Sequence, residues 1–178
     1  MLRTIGLILI AVITGILAYA AGQPDTFRVE RRISISAPPE AIYPLIADFR
    51  GWALWSPWEK KDPGMKRTHG GADSGLGAVY EWSGNSAVGA GRMEISQAVP
   101  PVKVTIDMRF TRPMEARNTA EFMLAPHGDG TSVTWVMSGP SPFLARLMGL
   151  VISMDDMVGG DFESGLAALK AVAESRRP

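Results

Sequence analysis

Residues 141–177 read SPFLARLMGLVISMDDMVGGDFESGLAALKAVAESRR, and beyond the N-terminus they form the one long stretch with sustained helical periodicity. Phe162, Leu166, Leu169 and Ala173 recur at steps of four, three and four, which draws a single apolar stripe on a helix. Ser141 and Pro142 supply an N-cap and a first-turn proline for one helical piece, over residues 141–152. Ser153 and Asp156 make a capping box for a second, over residues 155–175. Asp155 and Asp156 then lie at its positive end, where they serve the helix start rather than a metal. Gly159-Gly160 inside this helix marks a close approach to a neighbour or a place that flexes. Upstream, two other segments aside, the text reads as short strands. A sheet bent around this one helix buries the apolar faces of both.

Composition narrows the function. The 178 residues carry 18 basic and 18 acidic side chains with no run of either sign, which argues against a nucleic-acid partner. There is no cysteine, so disulfides, thiolate catalysis and zinc–sulfur sites are excluded. With only His69 and His127 to offer imidazole, no metal site or other cofactor is expected. Glycine and proline number 19 and 13, a content suited to many turns between short strands.

Residues 5–21, IGLILIAVITGILAYAA, hold no charge and follow Arg3. As a helix they extend roughly 25 Å, slightly short of the ~30 Å hydrocarbon core of a bilayer. Residues 1–22 are therefore a single N-terminal membrane anchor or, since Ala18-Tyr19-Ala20 fits an A-x-A cleavage site, a signal peptide. The first reading gives a single-pass membrane protein, the second a secreted or periplasmic one. Arg3 precedes the segment and Arg28, Arg31 and Arg32 follow it, so charge bias leaves orientation open. The absence of cysteine and the signal-like start favour a domain outside the cytoplasm. Residues 23–26 are a linker, and residues 27–176 the domain.

Within the domain, residues 27–36 alternate, with Val29, Ile33 and Ile35 on one face. Pro38-Pro39 stops that strand and opens a helix over residues 40–49, which Pro44 should bend or shorten. Next comes RGWALWSPWE, residues 50–59, where Trp52, Trp55 and Trp58 are three of the chain's five tryptophans. Neither strand nor helix period fits, and Pro57 should break any helix, so this is a loop or short helical turn with a large apolar area. It either plugs one end of the core or forms the rim of a pocket. From residue 65 onward strands alternate with turns. Residues 66–70 are a weak strand; residues 77–83 place Ala78, Tyr80 and Trp82 on one face; residues 88–99 carry Met93 and Ile95. The cleanest alternation is in residues 102–110, with Val102, Val104, Ile106, Met108 and Phe110 facing one way. Residues 117–125 carry Ala120, Phe122 and Leu124 inward. Gly128-Asp129-Gly130 is a tight hairpin turn, and residues 131–138 present Val133, Trp135 and Met137. Seven candidate strands joined largely by short turns imply an antiparallel meander. Gly89-Ala90-Gly91 falls inside a strand pattern, where glycine marks a bulge or bend rather than a phosphate loop.

That order, with its text, resembles the polyketide cyclase/dehydrase and lipid-transport proteins of the START-like superfamily, often called SRPBCC. The residues that carry the resemblance are Ile33-Ser34-Ile35-Ser36-Ala37-Pro38-Pro39-Glu40, Ile42-Tyr43-Pro44-Leu45-Ile46, Trp52 and Trp55-Ser56-Pro57-Trp58 with Asp62. Further on they are residues 89–93, Phe122-Met123-Leu124, residues 130–135 and residues 154–163, with Gly165-Leu166 and Leu169-Lys170. The match covers about residues 27–173. It implies an α+β helix-grip fold, a curved antiparallel sheet of six to seven strands around the long C-terminal helix with an apolar cavity between. The superfamily holds lipid and hormone binders, cyclases, oxygenase subunits and chaperone regulators, so the fold alone licenses no single activity. The oxygenase subunits need a cysteine-bearing iron–sulfur module that this chain lacks. No catalytic residue carries over from the resemblance.

A cavity would be lined by Tyr80, Trp82, Met93 and Met108 with Phe110, Phe122, Trp135 and Met137 from the strands. Met154, Met157 and Phe162 join from the helix, and Trp52, Trp55 and Trp58 at the mouth. The alternative is that these side chains pack a solid core. Glu59 and Asp62 are the catalytic candidates, with Tyr80 and His69 as partners; a cyclase or dehydratase needs such a carboxylate, desolvated, to remove a proton beside a carbonyl. No spacing forces them together, and as loop charges they are ordinarily solvated. Three readings follow. The first is a membrane-tethered or exported binding module for a small hydrophobic or amphipathic, lipid-like ligand. The second is a polyketide cyclase/dehydratase-like enzyme. The third is a protein-interaction or stress-related envelope module with a filled core, its partner unknown.

Overall fold

The computed structural model describes residues 2–176; Met1, Arg177 and Pro178, which the anchor and helix readings touch, lie outside the described residues. Helix α1 (Leu2–Ala21) is followed by strand β1 (Thr26–Ile35) and helix α2 (Pro39–Ala47). A 3-10 turn (Phe49–Leu54) and helix α3 (Pro57–Lys61) come next, then β2 (Lys66–Gly71), β3 (Ala78–Ser83), β4 (Ala90–Val99) and β5 (Lys103–Arg112). Strands β6 (Ala116–His127) and β7 (Gly130–Pro140) and helices α4 (Phe143–Met148) and α5 (Met154–Ser175) complete the chain. The seven strands form one antiparallel sheet in the order β1-β7-β6-β5-β4-β3-β2. β2 to β7 are the expected meander, and β1 closes the array by pairing with β7, Thr26 opposite Pro140 and Ile35 opposite Thr131. Register shifts at Ala90/Gly91 and between Ile95 and Gln97 put bulges in β4, which bend the sheet around α5. Gly128, at φ +56°, supplies the left-handed residue of the two-residue β6–β7 turn.

The α+β helix-grip architecture is as the sequence implied. Phe162, Leu166, Leu169 and Ala173 are all buried and share one core with Val104, Ile106, Phe122 and Val133. α5 is pinned to β1 by polar contacts along its length. Arg31 makes a bidentate pair with Asp155 (2.8 and 2.9 Å) and donates its Nε to Glu163 at 2.7 Å. Lys170 Nζ donates to the Ser34 carbonyl at 2.7 Å, and the Ser36 N–H to Glu174 at 2.7 Å. The capping box forms as read: Asp156 N–H donates to Ser153 Oγ at 3.1 Å and Ser153 N–H to Asp156 Oδ2 at 3.0 Å. Gly159 lies under the Arg31 guanidinium, which a Cβ there would displace, whereas Gly160 faces open space.

Several local expectations are corrected. Pro57 starts α3 instead of breaking a helix, because at the first helical position its missing N–H costs nothing. Helix α2 accommodates Pro44 and ends at Ala47, where Asp48 turns extended (φ −107°, ψ 110°) and its carboxylate caps the following turn through Arg50 N–H. α4 is only six residues, and its N-cap is Pro142 rather than Ser141, with no side-chain cap bond. Without that cap and with Gly149 next, the helix gives way to turns before Ser153. Val102 sits in the turn before β5 and is exposed, not inward. Met157 is 62% exposed because it falls opposite the buried stripe of α5.

α1 runs over the length of an apolar span. Residues Arg3–Ala21 have a mean hydropathy of 2.3 and almost all remain exposed, as in Leu7, Ile10 and Val12. By length and composition it can cross a membrane, as either an anchor or a signal sequence would.

Candidate functional site

The tryptophan segment takes its shape from α2. Too short to be helical past Ala47, the chain folds back so that Trp52 Nε1 donates to the Ile46 carbonyl and Trp55 Nε1 to the Leu45 carbonyl, both at 2.9 Å. The last carbonyls of α2, which have no helical partner, are thereby satisfied. The two readings of this segment divide by residue. Trp55 is fully buried, edge-on to Phe122 (6.0 Å) and Trp135 (5.8 Å), and plugs the core. Trp52 and Trp58 face a cavity.

The cavity has a volume of about 130 Å³ and lies between the sheet and the first half of α5. Trp135 is its back wall: Phe162 stacks on it at 4.1 Å and 7°, Phe122 at 4.8 Å, and Trp58 stands edge-on at 5.7 Å. The Trp135 indole Nε1 is buried and has no hydrogen-bond partner, which is costly unless an acceptor arrives. Tyr80, Trp82 and Met93 line a second side, Met108 and Phe110 of β5 a third, and Met137 and Phe162 close it.

Four of the residues expected in the lining are elsewhere. Trp55 and Phe122 lie behind it in the solid core. Met154 is half-buried at the α5 N-terminus, and Met157 points outward, because the turn of helix that reaches the space presents Val158 and Phe162 instead. The sequence reading missed Ser56, Met65, Val88, Ala120 and Val158. Val158 had a signal, being four residues before Phe162 on the same stripe; Met65 and Val88 sit in turns, where periodicity is silent.

One carboxylate stands in the wall. Glu59, on the first turns of α3, has a side chain only 10% exposed. Its Oε1 accepts from the Tyr80 hydroxyl at 2.6 Å and its Oε2 from Arg67 Nε at 2.6 Å. Arg67 also donates to the Met65 carbonyl. It is the counter-ion the sequence reading lacked, placed by the β2–β3 register opposite Trp82. Burial, and then the bond to Glu59, push the Tyr80 phenol well above its ordinary range, so it remains a donor. Asp62, the other carboxylate candidate, does not reach the cavity. Its oxygens accept the backbone N–H of Asn85 (2.7 Å) and Gly64 (3.1 Å) and hold two turns together. His69 is exposed, its ring edge-on to Tyr80 at 5.2 Å. The chemical capacity of the site is thus an apolar, ring-sized space with one anchored carboxylate and the phenol bonded to it, while the unpaired Trp135 Nε1 is sealed within the wall.

A family model described as polyketide cyclase / dehydrase and lipid transport matches residues 26–174. Among solved structures, protein CV1439 from Chromobacterium violaceum is 20% identical, covering 85% of this chain and 99% of its own at a TM-score of 0.58. Protein Ms6760 from Mycobacterium smegmatis is 21% identical, covering 87% and 96% at 0.58. The di-domain ARO/CYC BexL from the BE-7585A biosynthetic pathway is 15% identical; 89% of this chain matches 53% of that one at 0.61. At these identities the likeness is one of fold. Among curated proteins no match is found.

Proposed function

Because the chain belongs to the polyketide cyclase / dehydrase and lipid transport family, we propose that residues 27–176 are a binding module for a small amphipathic ligand, tethered outside the cytoplasm by residues 1–22 through the linker 23–26. The observation that carries this reading is the cavity itself, about 130 Å³ walled by aromatic and methionine side chains with a single anchored carboxylate. A space near 150 Å³ holds one benzene-sized ring, so the ligand inserts a ring or a short acyl end. Methionines 65, 93, 108 and 137 let the walls adapt to its shape. Glu59 and Tyr80 set its orientation by hydrogen bonds to a hydroxyl on the ligand, and Trp135 Nε1, uncovered as the wall adapts, donates to a carbonyl or ether oxygen.

The cyclase-like reading draws on one specific feature: Glu59 is the only carboxylate among the lining residues and is placed to take a proton beside a carbonyl. In that case Tyr80 would turn its single O–H from Glu59 Oε1 to the developing enolate oxygen as Glu59 takes up the substrate proton.

The test is a titration of the full chain in nanodiscs with p-cresol, acetophenone and toluene, followed by protein NMR, with mass spectrometry of small molecules that co-purify. Saturable binding that shifts the methyl resonances of Met93, Met108 and Met137 is expected. A chain that co-purifies with nothing and shows no saturable shift with any of the three would overturn the binding reading. Conversion of a ligand that Glu59→Gln abolishes, with binding retained, would select the enzyme.

A further inference from the structure

The end of the domain beside α1 carries an apolar surface that the cavity does not account for. No residue of α4 is buried. Leu144 is 61% exposed and Met148 56%, and in the turns that follow Val151 is 85% and Ile152 56% exposed. Soluble surfaces rarely gather side chains of this size into one patch. The segment's depth is fixed by α1. Arg146 Nη1 donates to the Ala21 carbonyl at 3.1 Å and to the Gln23 carbonyl at 3.0 Å, bonding the C-terminal end of that helix, where a cation also meets the favourable end of the helix dipole.

The same end of the sheet faces that way. β1 starts at Thr26, four residues past Gly22, paired with Pro140, and the β5–β6 turn at this end presents Met114, 62% exposed. Part of the cavity lining lies at this end as well: Met108 and Phe110 of β5, and Val158 in the second turn of α5, are half-exposed.

We infer that α4 and the turns through Ile152 are a membrane-docking face: their apolar side chains enter the interface of the bilayer that holds α1, and the cavity mouth is set against that bilayer. The occupant is the lipid surface, because the patch is continuous with α1 and offers no cluster of charge for an anionic partner. An amphipathic ligand then passes between membrane and cavity without crossing water. This rests on α1 being an anchor that stays in the mature chain.

The absence of cysteine allows single labels to be placed in the full chain. Leu144→Cys, Val151→Cys, Ile10→Cys and Asp129→Cys, each carrying a bimane, are reconstituted in phosphatidylcholine–phosphatidylglycerol liposomes. Position 129 lies in the β6–β7 turn, at the opposite end of the sheet. Quenching by a lipid-borne nitroxide is compared with quenching by a soluble nickel chelate. Positions 144 and 151 are expected to be quenched from lipid at least about fivefold more than 129, with 10 quenched from lipid and 129 from water. Labels 144 and 151 that behave like 129 while 10 stays in lipid would overturn the docking face and leave the anchor standing. Shielding of 144 and 151 from both quenchers would overturn it in favour of a protein occupant. A label at 10 open to water would remove the anchor and the docking face together.

Discussion

The Tyr80 hydroxyl donates to Glu59 Oε1 at 2.6 Å, while Arg67 donates to the other oxygen of the same carboxylate at 2.6 Å. This places a charge, compensated once and hydrogen-bonded twice, in an otherwise apolar wall. Tyr80→Phe removes one donor and leaves Oε1 without a partner in a poorly solvated position, and is expected to lower stability by about 1–3 kcal/mol. Glu59→Gln keeps an acceptor for Tyr80 but strips the counter-ion from the half-buried Arg67, at a comparable cost. Urea unfolding of both variants measures this; changes within about 0.5 kcal/mol would mean the pair is solvent-screened.

Trp135 Nε1 is buried without a partner, on an indole stacked with Phe122 and with Phe162. If it serves a ligand acceptor, Trp135→Phe weakens acetophenone binding about tenfold, equivalent to roughly 1.4 kcal/mol, and leaves toluene binding within about twofold. Equal weakening of both probes in parallel calorimetric titrations would assign Trp135 a packing role alone.

Much of this was readable from spacing. The stripe from Phe162 to Ala173, the capping box at Ser153 and the inward sets of β3 to β7 follow from periods that backbone geometry enforces. The tryptophan segment was not readable in the same way, since Trp52 and Trp58 line the cavity and Trp55 does not, a division set by two hydrogen bonds to α2 carbonyls. Glu59 and Asp62 stand three residues apart and look equivalent in the text. Their roles diverge only because β3 brings Tyr80 to the one and the turn at Asn85 brings backbone N–H to the other. Such long-range pairings leave no local period. The family adds the fold and its broad range of activities, and says nothing of which carboxylate faces the cavity.

Two glycines of α5 give opposite expectations. A Cβ on Gly160 meets open space, so Gly160→Ala should stabilise the helix by about 0.5–1 kcal/mol through propensity alone. A Cβ on Gly165 would stand 3.0 Å from both Pro57 Cδ and Trp135 Cζ3, of which the first belongs to a buried ring at the start of α3 and the second to an indole stacked on Phe162. Gly165→Ala should therefore destabilise by about 1–3 kcal/mol and shift the cavity wall. Thermal unfolding separates the two; a stabilised Gly165→Ala would show that α5 is looser against the sheet than its contacts imply.

The grip of α5 on β1 should fail in acid. Arg31's hydrogen bonds hold the Asp155 carboxyl below its ordinary value of 3.8, Ser153's hydrogen bonds do the same for Asp156, and the Ser36 N–H does so for Glu174. A carboxylate whose folded pKa is depressed contributes stability that is fully present above its unfolded value and is lost as pH falls through the folded one. The unfolding midpoint should accordingly be flat down to about pH 5 and fall steadily below about pH 4. Asp155→Asn, which cannot be protonated, should start lower at neutral pH and fall less steeply in acid. These groups are exposed, so raising salt should weaken the same contribution. If Asp155→Asn keeps the full acid slope in denaturation monitored by far-UV circular dichroism, the loss belongs to other carboxylates and Arg31 is not what couples the start of α5 to the sheet.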